Sequence, residues 1–370
     1  MTNPKHVVQD LLELAGIRIN GPNPHDIAVH DERFYLRTLR DKNLGLGESY
    51  MDGWWDCPSL DQFVHRLLAA RLHEKVRKNL KLLPPLIRAY LFNRQSLSRG
   101  LQVAEEHYNL DNELFLCFLD PNIQYSCGYF QNTDDLNQAQ TSKLDLIISK
   151  LDLKPTDHLL DIGFGWGGLA RYVAEKVGCR VTGVNISTEQ ISFARKYCSG
   201  LPIDILQCDY RRIEGKFDKI VSVGMFEHVG SKNYRIFMNV IDRVLRPDGI
   251  FLLHTIGSNE SSLTTDPWID KYIFPNGLLP SPSQIGRAIE KRLVMEDWHN
   301  FGPYYDKTLM AWNGNFQAAW PTLSKKYNDR FKRMWEYYLL SCAGAFRARH
   351  NQLWQIVLTK IGCSQPNCRF

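Results

Sequence analysis

The 370-residue chain has no run approaching the roughly 20 apolar residues that span a bilayer, so nothing in it reads as a transmembrane helix. Its nine cysteines are odd in number and form no C-x-x-C pair. That argues against a disulfide framework and against a zinc site, and no metal is expected. A reducing cytoplasm is the simplest home for such a chain. No internal repeat or low-complexity segment appears, which excludes a repeat architecture. Net charge is only +5, so where the charges lie matters more than their sum. What is present is 44% hydrophobic, 23% charged and, unusually, 12% aromatic residues. These are the proportions of a folded chain with ample core material. The length exceeds what one core commonly holds, so a large domain with a smaller companion is expected.

The opening "MTNPKHVVQDLLELAG" has the pattern of an amphipathic helix ending at Gly16, unlike a signal peptide. Residues 1 to about 70 read as several short helices. One begins in "PSLDQFVHRLLAARL", where Ser59 and Gln62 are spaced for a capping box. Residues 71–100 then carry eight cations against Glu74 alone, with leucines interleaved and Pro84-Pro85 interrupting any long helix. This block is either a solvated basic helix and linker or a surface for anionic lipid or nucleic acid. The interleaved leucines favour lipid.

Beyond residue 105 the pattern alternates. "HLLDIG", "RVTGVNIS", "IDILQCDY", "FDKIVSVGMF" and "IFLLHTIGS" read as strands, with helices between them and a turn at "RPDG". Such alternation predicts an α/β fold with a parallel, doubly wound sheet. "RLVMEDWHNFG" and "LWQIVLTK" would supply its last strands.

The first strand runs into Asp161 and a turn containing Gly163, Gly165, Gly167 and Gly168. Glycines clustered at a strand-to-helix turn let a nucleotide-like ligand approach the backbone. A dinucleotide fingerprint also needs an acid at the end of the second strand, and "GVNIS" has none. Asp161 suits a cationic ligand better than a phosphate, and "RPDG" before a strand is typical of S-adenosylmethionine methyltransferases. The turn alone also fits other nucleotide folds. Asn185 and Gln190 are then candidates for the ribose, and Asp209 and Tyr210 for the adenine; strand-end caps are the alternative for all four, of equal weight for Asp209 and Tyr210.

The Asn/Asp-Pro-Pro-Tyr loop of many amine methylases is missing after the fourth strand. "VGMFEHVG" stands there instead, with Glu227 and His228 where an acceptor would lie. His254 ends the next strand. Open α/β sheets bind ligands at that edge, which raises these residues above ordinary structural polar groups.

The stretches "LGLGESYMDGWWDC", "DPNIQYSCGYF", "DIGFGWGG", "VSVGMFEHVG", "IFLLHTIGS", "DPWIDKYIFPNG", "MEDWHNFGPYYDKTLMAW" and "CAGAFRARHNQLWQ" occur in one order along nearly the whole chain. In these the chain resembles the bacterial cyclopropane-fatty-acyl-phospholipid synthases. The resemblance implies a helical N-terminal, lipid-docking domain at 1–92 and a linker at 93–104. It implies a class I methyltransferase domain, Rossmann-like, at 105–370, and a homodimer. The implied reaction moves a methyl from S-adenosylmethionine to a cis double bond of a phospholipid acyl chain, then removes a proton and closes a ring. The implied base is a bicarbonate ion held by Cys127, Glu227, His254, Tyr305 and the backbone of Ile256. Cys342 matches a cysteine counted among the family's active-site residues, although alkene methylation needs no covalent enzyme intermediate. Tyr125 and Ser126 would touch the methionine end of the cofactor. Phe164 departs from the cysteine common at that position and is expected to point into the core. Lys75, Arg77, Lys78 and Lys81 would dock a cytoplasmic enzyme on the inner face of the membrane, with no nucleic acid involved. The alternative is a small-amine N-methyltransferase, since relatives with similar "MFEH" segments act on amines.

Overall fold

A computed structural model describes residues 3–72 and 112–369. Lys75, Arg77, Lys78 and Lys81, and the expected boundary at 92–105, lie outside the described residues. The chain forms two compact units that are not contiguous in sequence. Thr265–Pro275 and Leu309–His350 group with the N-terminal helices, and Asn276–Thr308 and Asn351–Phe370 group with the middle of the chain.

In the first unit, Asn3 caps the helix Pro4–Glu13, whose Val7, Val8 and Leu12 are buried. Gly16, at φ +68°, ends the segment as its sequence predicts. The helices Arg33–Met51, Leu60–Ala69 and Asp329–Arg347 and the short ribbon β1 (Ala28–Val29) and β2 (Trp55–Asp56) complete most of it. Trp55 is fully buried among Phe34, Tyr50 and Phe63, and its indole N–H donates to Leu46 O and Ser49 Oγ. The capping box expected at Ser59 does not form, for the Ser59 side chain makes no cap bond. Its backbone N–H, which Gln62 would have taken, donates to Pro24 O at 2.8 Å. A capping box does occur at Ser281 and Gln284 in the second unit.

That unit is built on seven strands: β3 (His158–Ile162), β4 (Arg180–Asn185), β5 (Ile203–Gln207), β6 (Phe217–Val223), β7 (Leu245–Ser258), β8 (Leu293–Asn300) and β9 (Asn351–Lys360). Their order is β5-β4-β3-β6-β7-β9-β8. Every expected strand is present, but the sheet is mixed rather than parallel. The five strands β3 to β7 pair in parallel, and β9 inserts antiparallel between β7 and β8. Only a short turn, Arg347 to Asn351, separates the preceding helix from β9, and that helix is grouped with the first unit. "RPDG" falls inside β7 as a register break, with Leu245 opposite Phe217 and Ile250 opposite Lys219.

Side chains of alternate parity feed two cores, as a pleated sheet covered on both faces requires. Leu160, Ile162, Phe251, Leu253, Ile356 and Leu358 pack with the helices Tyr234–Val244 and Pro282–Ile289. Leu159, Ile250, Leu252 and Val357 pack with Leu136–Leu151 and Gly168–Val177. Phe164 is buried against Ile191 and Ala194. A Cβ on Gly183 would come within 2.9 Å of its ring. The second position of the glycine turn therefore points into the core, as anticipated.

Candidate active site

The site is assembled where β3, β6 and β7 end. Gly163, Gly165 and Gly167 have φ of +83°, +56° and +89°, a region costly for side-chain-bearing residues. They form a cradle after Asp161 that is open at Gly165, where a Cβ would meet nothing within 4 Å, and closed by Met225 at Gly163 and Cys198 at Gly167. The Asp161 carboxylate is buried, its Oδ2 has no hydrogen-bond partner, and burial pushes its pKa up to about 7 against the opposing pull of Lys143. A cradle of bare backbone beside a buried, unpaired carboxylate fits a ligand that carries positive charge. Gly168 serves a different need. A Cβ there would lie 1.8 Å from Asn122 O, so the loop before Tyr125 and Ser126 rests directly on this helix start.

Asn185 donates to Gln190 Oε1 at 2.8 Å and to Gly165 O at 3.4 Å, placing both candidate ribose contacts beside the turn. Asp209 is engaged otherwise. It accepts from the Arg211 backbone and guanidinium, which hold its carboxyl down at about 2, and it caps the short helix Tyr210–Arg212. Tyr210 packs on Phe237. Among the described residues no cluster of acids, histidines and cysteines could hold a metal ion.

Cys127, Glu227, His254 and Tyr305, expected on the acceptor side, are buried as well. Glu227 lies in the one-turn helix Phe226–His228 after β6, anchored by Phe226 stacked on Tyr234. Its Oε1 accepts from Ile256 N–H at 2.7 Å, while its Oε2 is buried without a partner. Burial raises this carboxyl to about 7, partly offset by the hydrogen bonds from Ile256 and Thr255. The Ile256 N–H expected on the anion is therefore already engaged with Glu227. His228, next along, is exposed.

His254 stands opposite Val223 and, across β9, opposite Gln355. The Gln355 amide donates to Nδ1 at 3.3 Å, which leaves the proton on Nε2, and Nε2 is buried without a partner. Burial, helped by the charges of Lys143 and Lys150, keeps the ring neutral well below its ordinary pKa. Cys127 is fully buried, and desolvation raises its thiol strongly, so it is a neutral S–H rather than a thiolate. Thr308 Oγ1 contacts its sulfur at 3.8 Å and accepts from Gly128 N–H. Tyr305 is buried one helical turn before Thr308. Phe301 packs edge-on to His254, and Tyr129 and Tyr304 join it in an aromatic wall. Ring faces of this kind stabilise a nearby cation by about 0.5–2 kcal/mol each.

Cys342 belongs to the first unit, where burial, with the Asp266 charge adding, pushes its thiol up to about 12. It too is a neutral thiol.

Sequence reasoning passed over Lys143 and Gln355. Lys143 has no exposed surface and donates to Gln124 Oε1 at 2.7 Å and Ser126 Oγ at 2.8 Å. A signal was present: Lys143 and Lys150 are seven apart, in line with the apolar stripe Leu136, Leu144, Ile147 and Leu151. Lysine on such a stripe is almost never buried without a partner. Gln355 could be found only from the β7–β9 register.

A sequence profile described as mycolic acid cyclopropane synthetase matches residues 95–356. The cyclopropane-fatty-acyl-phospholipid synthase of Escherichia coli (strain K12) is 54% identical over 354 residues, covering 96% of this chain and 93% of that one. Among solved structures, the mycolic acid cyclopropane synthase CmaA1, complexed with SAH and CTAB, is 30% identical with a TM-score of 0.63. The match covers 72% of this chain and 99% of that one. Coclaurine N-methyltransferase, 19% identical, matches with a TM-score of 0.67 over 87% of this chain and all of that one, and shares the fold.

Proposed function

This chain belongs to the mycolic acid cyclopropane synthetase family, and from that premise we propose how its residues carry out the reaction. The chain is an S-adenosylmethionine-dependent enzyme that converts a cis double bond of an unsaturated phospholipid acyl chain into a cyclopropane ring. S-adenosylmethionine supplies an electrophilic methyl group. An alkene is a feeble nucleophile, so the protein must exclude water, tolerate a carbon cation on the acyl chain and take up one methyl proton.

The observation that carries the assignment of roles is the pair of buried, unpartnered atoms Glu227 Oε2 and His254 Nε2. A lone acceptor and a lone donor match a small protonated oxyanion, and bicarbonate is one. His254 Nε2–H and the Tyr305 hydroxyl would donate to it, Glu227 Oε2 would accept its O–H, and Cys127 would close the wall. Ile256 acts through Glu227, whose other oxygen it holds. Asp161, Gly163, Gly165, Gly167 and Gly168, with Tyr125, Ser126, Asn185 and Gln190, cradle the methyl donor. An amine acceptor brings its own lone pair and would leave this anion-holding set without a task.

The test is incubation of the purified protein with S-adenosylmethionine and vesicles of cis-unsaturated phospholipid, followed by mass spectrometry of the acyl chains. Gain of one CH2 with loss of the double bond is expected. Unaltered chains, with labelled methyl recovered on a small amine, would refute it.

A lipid substrate resides in a bilayer, so the enzyme must work at a membrane surface; peripheral binding at the inner face and a homodimer are the forms that the family resemblance implies. The basic block at 71–100 is the natural docking surface, at about 1 kcal/mol per cation before screening. Neutralising Lys75, Arg77, Lys78 and Lys81 together is expected to weaken co-flotation with anionic vesicles by about tenfold or more. Flotation equal to that of the unaltered protein would sink this reading.

A further inference from the structure

Lys143 is wholly buried, and the chain around it is organised to keep its ammonium in place. Asp120 accepts the backbone N–H groups of Asn122 and Gln124, curling that segment around the lysine. Gln140 Nε2 fixes the same segment from the lysine's own helix by donating to Ser126 O at 2.8 Å. The ammonium then donates to Gln124 Oε1 and Ser126 Oγ. An ammonium has donors and no acceptor, so in the second bond Ser126 Oγ must accept. The Ser126 hydroxyl proton is thereby turned away from Lys143. Gln124 is oriented by the same logic: its Oε1 faces the lysine and its Nε2 donates to Asn122 O at 2.9 Å.

We propose that Lys143 is a positioning residue for the methyl donor, one that makes Ser126 an obligatory hydrogen-bond donor toward the carboxylate at the donor's amino-acid end. This rests on the assignment of Ser126 to that end of the cofactor. The buried Asp161, whose Oδ2 has no hydrogen-bond partner and whose charge interacts with that of Lys143, supports it. Together, Ser126 held by Lys143 for the carboxylate and Asp161 for the cationic group would sort a ligand that carries both in one short chain. A lysine serving only to brace the segment would disturb Tyr125 as well as Ser126, so its loss would add to the loss of the Ser126 hydroxyl.

Ligand discrimination, together with non-additivity between Lys143 and Ser126, provides the test, read by calorimetric titration rather than turnover. S-adenosylhomocysteine keeps the amino-acid end, and 5′-methylthioadenosine lacks it. Lys143→Met is expected to weaken S-adenosylhomocysteine by about ten- to hundredfold, the range of one charge-assisted hydrogen bond. Methylthioadenosine should change by less than about twofold, a margin far below that range. Ser126→Ala should reproduce the selective loss, and adding Lys143→Met to it should cost little more, because the two act as one unit. If Lys143→Met proves too unstable to titrate, Lys143→Gln, which keeps one donor, should show a smaller loss with the same selectivity. Equal weakening of both ligands, or of neither, or a fully additive loss in the double variant, overturns the proposal for Lys143. A wild-type protein that binds the two ligands equally tightly instead overturns the assignment of Ser126.

Discussion

Glu227→Gln is expected to lower ring formation by a factor of about 10²–10⁴ while leaving S-adenosylhomocysteine binding unchanged. The substitution keeps shape and keeps an oxygen for the Ile256 N–H at its present place. It replaces the unpartnered Oε2 with an NH2 group, an acceptor with a donor. An anion held through its own O–H at that position loses the partner for its proton, and the remaining donors cannot orient it. The same variant should become more stable at alkaline pH. Folded Glu227 titrates at about 7, above its unfolded value, because burial penalises the charged form. Its contribution to stability is full below about pH 4.5 and is lost as pH rises through 7. Glutamine has no such dependence, so relative to wild type the variant should gain up to about 3 kcal/mol at pH 8 and nothing at pH 4. His254 stays neutral across the upper part of this range and does not obscure the comparison. Thermal unfolding at both pH values checks the sign. Loss of activity with a gain of stability is the mark of a group retained for chemistry. Equal destabilisation at both pH values would make Glu227 a structural residue.

What was legible in the sequence follows from the range over which each signal acts. The strands β3 to β9 were readable because alternation and apolar runs are local, and Asp161, Glu227 and His254 stood out because each lies at or near the expected carboxyl end of a strand, although β7 runs on past His254 to Ser258. The antiparallel insertion of β9 was not readable, since pairing partners are chosen by tertiary packing. Ser59 had the right residue at the right spacing for a capping box, yet a carbonyl 35 residues earlier, at Pro24, captured the N–H it needed. Lys143 escaped because a lysine in a helix is ordinarily solvated, and only Gln124 and Ser126, 17 to 19 residues earlier, make its burial tolerable. Gln355 escaped for a related reason, for its partner His254 is 101 residues away. Polar residues whose partners are distant in sequence carry at most a faint local sign, such as the place of Lys143 on an apolar stripe, and this site is built largely from such pairs.

Gly168→Ala is expected to cost about 3 kcal/mol of stability and about a hundredfold in S-adenosylhomocysteine affinity. This glycine has an ordinary helical backbone, so it is needed for space and not for an unusual φ. The added Cβ would stand 1.8 Å from Asn122 O and 2.6 Å from Gln124 Nε2. Neither can yield cheaply. Asn122 is held through Asp120, and Gln124 is held through Asp120 and Lys143. The clash must instead push the segment 120–127 away from the glycine turn, carrying Tyr125, Ser126 and Cys127 with it. A displacement of about 1 Å there opens both the donor cradle and the wall of the anion site, and misplacement of that size is worth about 10² in a positioned site. Gly178→Ala, at the other end of the same helix, separates the two effects. It has φ +80° and no neighbouring atom within 4 Å, so it should cost about 1–2 kcal/mol from backbone strain alone and leave affinity unchanged. Calorimetric titration of both variants, alongside thermal unfolding, reads the difference. If the two lose affinity in proportion to stability, the contact between Gly168 and Asn122 is not what joins the two halves of the site.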